Sequence, residues 1–140
     1  MSDRFFLDTN IFVYSFDESS SKKANRALDL IQSGVATRKG VVSYQVVQEF
    51  LNVALRKFSQ PMSVADAEQY LTTVFRPLLT VHSSQAIFSE ALHLSGQHHL
   101  SWCDALIVSA AIQSECDLLY TEDLHHGQRF GNLQITNPFL

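Results

Sequence analysis

Short apolar runs alternate along this chain with longer segments in which apolar residues recur every three or four positions. The short runs predict buried strands, and the longer spacing predicts amphipathic helices. Strands are predicted for the run that ends at Leu7 and for residues 40–43, 78–81, 117–120 and 133–135. Helices are predicted for residues 10–16, 19–34, 44–58, 63–76, 83–96 and 102–114, several of them opened by serine and one closed by Gly34.

This alternation of short strands and helices predicts βα units and a mostly parallel sheet. Residues 121–131 are polar and are predicted to form a loop, which leaves residues 133–135 as a final edge strand. No stretch has the composition of a linker, a repeat or a low-complexity segment. We therefore predict a single three-layer α/β/α domain over residues 1–140, with a short-stranded, mostly parallel central sheet.

The composition supports a globular domain, because 46% of the 140 residues are apolar and 17% are charged. No run approaches the roughly 20 apolar residues that span a bilayer, and no secretory leader is recognisable. We therefore expect a cytoplasmic protein with no membrane partner. Cys103 and Cys116 are too few for a disulfide framework and are predicted to be reduced thiols in the core.

The net charge of −4 argues against binding nucleic acid through overall basicity. It is compatible with an enzyme whose acids lie in one pocket and whose basic residues line the rim. Short basic clusters that could form such a rim, or that are simply solvated, are Lys22–Lys23–Arg26, Arg38–Lys39 and Arg56–Lys57.

The first predicted strand runs directly into Asp8-Thr9-Asn10. Ligands of open α/β sheets bind at the carboxyl ends of strands, and a buried carboxylate costs several kcal/mol unless it is paired, hydrogen-bonded or cation-bound. Asp8 is therefore a candidate cation ligand, although Asp8 or Asn10 would also serve as a helix cap. If Asn10 is the cap, Asp8 remains free for a metal.

Two further acids stand within predicted helices. Asp104 lies on the first turn of a helix that is apolar nearly all round, so its carboxylate needs a partner if that helix is buried. The pattern Ser101-x-x-Asp104 is also a capping box, which would explain the acid without any ligand. Glu49 lies at the edge of an apolar face, where a solvated glutamate paired with Arg56 or Lys57 is the simpler explanation.

The strand that ends at Tyr120 runs into Thr121-Glu122-Asp123, so acids again follow a strand, although a simple turn would also place them there. Carboxylates that meet in one crevice raise each other's pKa steeply unless a cation compensates their charge. The predicted cofactor is therefore a hard divalent ion with oxygen ligands, Mg²⁺ or Mn²⁺.

Other kinds of site find less support in the sequence. The histidines lack the spacing of a zinc site, and no dinucleotide, P-loop or serine-hydrolase motif is present. A phosphoacceptor domain with Asp8 as acceptor fits the fold, but it would place a pair of acids directly after the first strand.

Taken together, the ordered motifs resemble the PIN-domain family over essentially the whole chain: Leu7–Asn10, Glu49 within its helix, Ser101–Ala105, Leu119–Leu124 and the ending Ile135–Phe139. Small single-domain members of this size resemble VapC-type toxins of toxin–antitoxin pairs, which are metal-dependent ribonucleases. The resemblance implies that four acids bind the metal and that three neighbours orient those acids and water: Asp8, Glu49, Asp104 and Asp123, with Thr9, Asn10 and Thr121 in support.

The sequence departs from the family pattern at His125, where several members carry a further acid two residues after the position of Asp123. Glu122 is a possible substitute, but it points the other way if the strand geometry continues. This departure bears on a second metal site more than on the first.

The resemblance also implies an activity, namely Mg²⁺- or Mn²⁺-dependent endonucleolytic cleavage of RNA. A metal-activated water would leave a 5′-phosphate and a 3′-hydroxyl. The implied partners are an antitoxin that inserts a helix or tail, with an arginine that reaches the carboxylates, and a second copy of the chain. The aromatic helices at 44–58 and 70–75 would suit such interfaces unless their apolar faces belong to the core. The alternatives are an RNA-processing nuclease outside a toxin pair and a catalytically silent PIN-like domain that binds RNA or protein.

Overall fold

The computed structural model describes residues 2–140 and contains a six-stranded sheet covered by helices. The strands are β1 (Phe5–Leu7), β2 (Gly40–Ser43), β3 (Leu79–Val81), β4 (Leu118–Tyr120), β5 (Arg129–Phe130) and β6 (Leu133–Thr136). The helices are α1 (Thr9–Tyr14), α2 (Ser21–Thr37), α3 (Tyr44–Arg56), α4 (Val64–Tyr70), α5 (Arg76–Leu78), α6 (Gln85–His98) and α7 (Trp102–Gln113), with a π-helical turn at Leu71–Phe75 between α4 and α5.

The strand order is β3-β2-β1-β4-β6-β5, and all neighbouring strands are parallel except β5 and β6. The chain winds outward from β1 to β3 and then returns to place β4 on the other side of β1. Because such crossovers are right-handed, the two sets of connecting helices cover opposite faces of the sheet. The predicted α/β fold with a mostly parallel sheet is confirmed. The winding reverses between β1 and β4, which is where open α/β sheets form their ligand crevice.

The end of the chain differs from the prediction. The strand over residues 133–135 was expected at the edge, yet β6 lies inside the sheet between β4 and β5. The edge strand is β5, which pairs antiparallel with β6 across the two-residue turn Gly131-Asn132. Gly131 has a φ of 62°, a conformation that favours glycine. The prediction was wrong because β5 has only two residues and lies in a polar segment.

Most helices and strands begin and end within about two residues of their predicted positions, which is the usual scatter of such boundaries. The side chains of Ser20, Ser63, Ser84 and Ser101 each accept a hydrogen bond from the backbone N–H three residues later, as N-caps do. The helix predicted to stop before Pro77 instead continues to Leu78, because a π-helical turn precedes the proline.

Gly34 is not the C-cap of α2. The helix continues to Thr37 and ends at Arg38, which adopts a left-handed conformation with φ 60°. Gly34 instead faces Gly40 of β2, and a Cβ atom on Gly40 would lie only 2.6 Å from the Gly34 Cα. The two glycines therefore allow α2 to pack directly against the sheet, which outweighs the local preference for ending a helix at glycine.

Aromatic side chains fill the core beside α3. Phe12, Phe50 and Phe75 are fully buried and contact one another, with ring centroids 4.8–6.3 Å apart. Tyr70 stacks on Phe50 at 5.1 Å. These aromatic faces of the 44–58 and 70–75 segments therefore belong mainly to the core.

The two cysteines differ in their exposure. Cys116 is buried, but Cys103 is exposed, so the prediction that both are core thiols was wrong for Cys103. Trp102 and Cys103 lie on the open first turn of α7, whose later turns are the buried part of that helix. No helix within residues 2–140 combines the length and the apolar character needed to cross a membrane.

Candidate active site

Asp8 lies at the carboxyl end of β1 and is 5% exposed. One carboxylate oxygen accepts a hydrogen bond from the Thr9 N–H at 2.7 Å, and the other accepts one from the Thr121 hydroxyl at 2.8 Å. Asp8 is the N-cap of α1, and Asn10 lies within the helix. Of the two candidate caps, Asp8 and Asn10, the structure has Asp8, because a single residue separates β1 from α1.

Thr121, at the end of β4, is fully buried and connects Asp8 with Asp123. Its hydroxyl donates to Asp8 and accepts from the backbone N–H of Asp123 at 3.1 Å. The Asn10 amide donates to the Asp123 carboxylate at 3.1 Å and also reaches the Thr121 oxygen at 3.4 Å. Asp8 and Asp123 are thus held by neutral donors at the switch point between β1 and β4.

Glu49, on α3, is joined to the same cluster. The Thr9 hydroxyl donates to one carboxylate oxygen at 3.0 Å, and the Gln45 amide donates to the other at 2.8 Å. The suggested pairing with Arg56 or Lys57 is not present. Gln45 also donates to the Cys103 carbonyl at 3.3 Å, which ties α3 to the first turn of α7. Gln45 was not predicted to contact the site, although its i, i+4 spacing from Glu49 is a signal for such a contact.

Asp104 completes the group from α7. The Ser101 hydroxyl accepts the Asp104 backbone N–H at 3.2 Å, which is one half of the predicted capping box. Desolvation raises the pKa of Asp104, and the nearby charges of Asp123 and Glu49 raise it further. The structure therefore brings the four predicted acids together from β1, α3, α7 and the end of β4.

In the part of the chain that the structure describes, none of the four acids forms an ion pair with a basic side chain. The two ion pairs within residues 2–140 are Arg4–Glu115 and Lys23–Glu122, and neither involves the four acids. Burial raises the pKa of Asp8 to about 7, against the lowering effect of its hydrogen bonds with Thr121 and Thr9, and the charges of Asp123 and Glu49 add to the rise. A cation near Asp8 would relieve both the desolvation and the repulsion.

Comparison with known proteins identifies the family of the chain. The sequence profile of the PIN domain matches residues 5–129, which is most of the chain. The chain belongs to the PIN-domain family. No curated protein matches it.

Several solved structures share the PIN fold. A toxin–antitoxin complex from Klebsiella pneumoniae is 18% identical with a TM-score of 0.69, and the match covers 95% of this chain and 96% of that one. VapBC2 from Rickettsia felis, bound to a DNA fragment from its promoter, is 22% identical with a TM-score of 0.65, covering 95% and 97%. The Mycobacterium tuberculosis toxin VapC20, described as cleaving the sarcin–ricin loop, is 18% identical with a TM-score of 0.61, covering 85% and 89%. At these identities the likeness establishes the fold.

The donor atoms of this PIN domain fit a hard divalent cation, because the cluster offers carboxylate, hydroxyl and amide oxygens and no soft ligand. Two buried side-chain oxygens beside it, Asn10 Oδ1 and Ser43 Oγ, have no hydrogen-bond partner. Ser43 ends β2, the strand next to β1, and sequence reasoning gave it no role. As arranged, no three acidic, histidine or cysteine side chains within residues 2–140 form a ready-made metal cluster. Ion binding therefore requires some of the acid side chains to adjust, and Asp123 is the most exposed of the four.

Glu122 and His125 do not extend the acid group of the PIN domain. Glu122 accepts hydrogen bonds from the Tyr14 hydroxyl at 3.0 Å and from Lys23 at 3.3 Å, on the opposite side of the segment from Asp8. His125 is exposed. The prediction that Glu122 points the other way is therefore consistent with the structure, and four acids remain as the candidate ligands.

Proposed function

We propose that this PIN domain is a Mg²⁺- or Mn²⁺-dependent endoribonuclease and the toxin of a toxin–antitoxin pair. The observation that carries this proposal is the meeting of four acids at the sheet's switch point without a cationic partner. Asp8, Glu49 and Asp123 accept hydrogen bonds from neutral donors, which orient the carboxylates without cancelling their charge. Such a group is costly in a folded protein unless it has a function that needs negative charge.

The four acids would have different tasks in ion binding, according to how firmly each carboxylate is held. Asp8 and Glu49 are fixed by the Thr9 backbone and hydroxyl groups, by Thr121 and by Gln45, so they form the rigid inner wall. Asp123 is exposed and Asp104 is half-buried, as Glu49 is, and these two aspartates would hold the outer side of the ion and face the RNA. When bound, the divalent ion supplies Lewis-acid activation of water and of the scissile phosphate. Because hydrogen bonds already hold Asp8 and Glu49 before the reaction, these two acids need little reorganisation at the transition state.

The first test uses purified protein and total cellular RNA. We expect cleavage with Mg²⁺ or Mn²⁺, none with a chelator, and recovery when the ion is returned. Since water is the proposed nucleophile, the new downstream ends should carry a 5′-phosphate and ligate to an adaptor without prior phosphorylation. Mapping these ends in expressing cells gives the cleavage sites. Cleavage that persists in chelator, or products ending in a 2′,3′-cyclic phosphate, would contradict the proposal.

The toxin role rests on the antitoxin complexes among the structural neighbours, and a small antitoxin is the proposed partner. An arginine from that partner would form ion pairs with the four acids, which have no ion pair within the described residues. Expression of the chain alone should inhibit growth, and co-expression of a small neighbouring reading frame should relieve it. No inhibition and no such frame would favour an RNA-processing nuclease. Absence of acid-dependent Mn²⁺ binding by calorimetry would favour a silent RNA- or protein-binding domain.

We further propose that a second copy of the chain binds the α6–α7 patch, defined here as Phe88, Leu92 and Trp102. These side chains are 38%, 64% and 42% exposed, and the Phe88 and Trp102 rings stack with centroids 6.4 Å apart. Phe88 and Leu92 are four residues apart on α6 and share a face. Together the three side chains form an exposed apolar surface, which a second copy of the chain would cover.

Replacing Leu92 with arginine should weaken self-association at least about tenfold, because a charge would be buried against an apolar partner. Sedimentation velocity over a concentration series measures this. The matched control is Val64→Arg, which adds the same charge at a 76%-exposed apolar residue on α4 and should leave the dimer intact. A monomeric wild-type protein, or a Leu92→Arg variant that dimerises normally, would contradict this interface.

A further inference from the structure

Glu122 stands between two site residues, Thr121 and Asp123, but its side chain leaves the site. Along the segment 121–123, Thr121 faces Asp8, Glu122 faces the opposite way and Asp123 faces Asn10. Both carboxylate oxygens of Glu122 have partners there, the Tyr14 hydroxyl at 3.0 Å and the Lys23 ammonium at 3.3 Å. The segment is therefore held from both sides.

Lys23 is anchored in more than one way. Its ammonium lies 4.4 Å from the centre of the Tyr14 ring and 5.4 Å from that of Phe139, within the range of cation–π attraction. The Tyr14 and Phe139 rings pack edge to face at 5.0 Å. Three parts of the chain, namely the end of α1, the first turn of α2 and the C-terminal segment, thus meet behind Glu122.

The contacts behind Glu122 act against the electrostatic repulsion between carboxylates on the site side of the segment. The charge of Asp123 raises the pKa of both Asp8 and Asp104, so like charges meet on the site side of the segment when no cation is bound. Asp123 is exposed and is held directly only by the Asn10 amide and its own backbone bond to Thr121. A half-exposed ion pair contributes little to global stability, so the effect expected of it is on the local direction of the chain.

We propose that Lys23 and Tyr14 are positioning residues of the nuclease site, which hold Glu122 behind the segment 121–123 and thereby keep Asp123 directed at the other acids. We call the contacts of Lys23 and Tyr14 with Glu122 the clamp. The clamp is a property of the folded chain, and only its catalytic consequence rests on the proposed function. Neither residue touches the acids, so their effect on the reaction would pass through Glu122.

The test compares Lys23→Met with Lys22→Met and Lys23→Arg in the full-length protein. Lys22 is exposed and makes no ion pair within the described chain, so its variant loses the same charge without releasing Glu122. We expect Lys23→Met to lower kcat and the affinity for Mn²⁺ by about 10–100-fold, as changes to residues that orient metal ligands do, with little change in KM. Amide hydrogen exchange of residues 121–124 should accelerate in Lys23→Met but not in Lys22→Met, and Lys23→Arg should keep the wild-type kcat, Mn²⁺ affinity and exchange rate.

These measurements distinguish a positioning role of Lys23 from direct contact with RNA. A raised KM with unchanged kcat, shared with Lys22→Met, would mean that Lys23 contacts RNA phosphates and would overturn the proposal. Unchanged hydrogen exchange in the 121–124 segment would overturn it as well. If the wild-type protein neither cuts RNA nor binds Mn²⁺, the proposed function fails, but the exchange experiment still decides whether Lys23 holds the segment. Tyr14→Phe, which removes only the hydroxyl, should accelerate exchange to a smaller degree.

Discussion

Replacing Asp8 with asparagine is expected to abolish RNA cleavage and growth inhibition while the protein remains folded. Asparagine has nearly the same shape, and its amide oxygen can still accept the Thr9 N–H, so the cap of α1 survives. What is lost is the negative charge of the most buried of the four acids. Removing one acidic ligand removes several kcal/mol of transition-state stabilisation, roughly a thousandfold in rate or more.

The matched control for this substitution is Asp117→Asn. Asp117 precedes β4, at the opposite end of the strand from Asp123, and its carboxylate accepts the Asp3 N–H at 2.8 Å. The change in charge and shape is the same, but it lies at the amino ends of the strands, so cleavage should stay within about twofold of wild type. Rates are measured on one mapped RNA site in Mn²⁺, with circular dichroism to verify folding. A folded Asp8→Asn protein with normal activity would remove Asp8 from the mechanism.

The acids could be predicted from the sequence because their positions conflict with simple burial rules. Asp8 and Asp123 follow apolar strands, and Asp104 begins an apolar helix, so each needed an explanation beyond local structure. Glu49 gave no such conflict and was included only on the strength of the other three acids, with which it completes the family resemblance. Its contact with Gln45 spans four positions, a spacing that is visible in a helix pattern. Its contact with Thr9 spans 40 positions, so no local pattern predicts it.

Features that depend on contacts between distant segments were not predictable. Gly34 looks like a helix terminator locally, but its close approach to Gly40 is a property of how α2 lies on the sheet. The clamp on Glu122 likewise joins residues about 100 positions apart in sequence. The serine caps and the strand–helix alternation were predictable, because each depends on a few neighbouring residues.

The metal-free protein is expected to lose stability as the pH rises from about 4 to about 7. The pKa of Asp8 rises from its ordinary value of 3.8 to about 7 on folding, chiefly because burial desolvates the carboxylate. Between these values the folded state keeps a proton that the unfolded state has released, so raising the pH favours unfolding. The penalty is absent below about pH 4 and complete above about pH 7, where it is on the order of 4 kcal/mol. The raised pKa of Asp104 acts in the same direction.

Asp8→Asn should remove most of this dependence, because the amide does not titrate. Urea unfolding in chelator, at intervals between pH 4.5 and 8, measures the free energy of unfolding of both proteins. The two should be similar near pH 4.5, and the variant should be more stable by a few kcal/mol at pH 8, so that the residue most needed for cleavage is also the one that costs stability. Adding Mn²⁺ at pH 8 should then stabilise the wild type far more than the variant. Parallel pH profiles for the two proteins would contradict a desolvated carboxylate at Asp8, and with it the physical reason for placing a cation there.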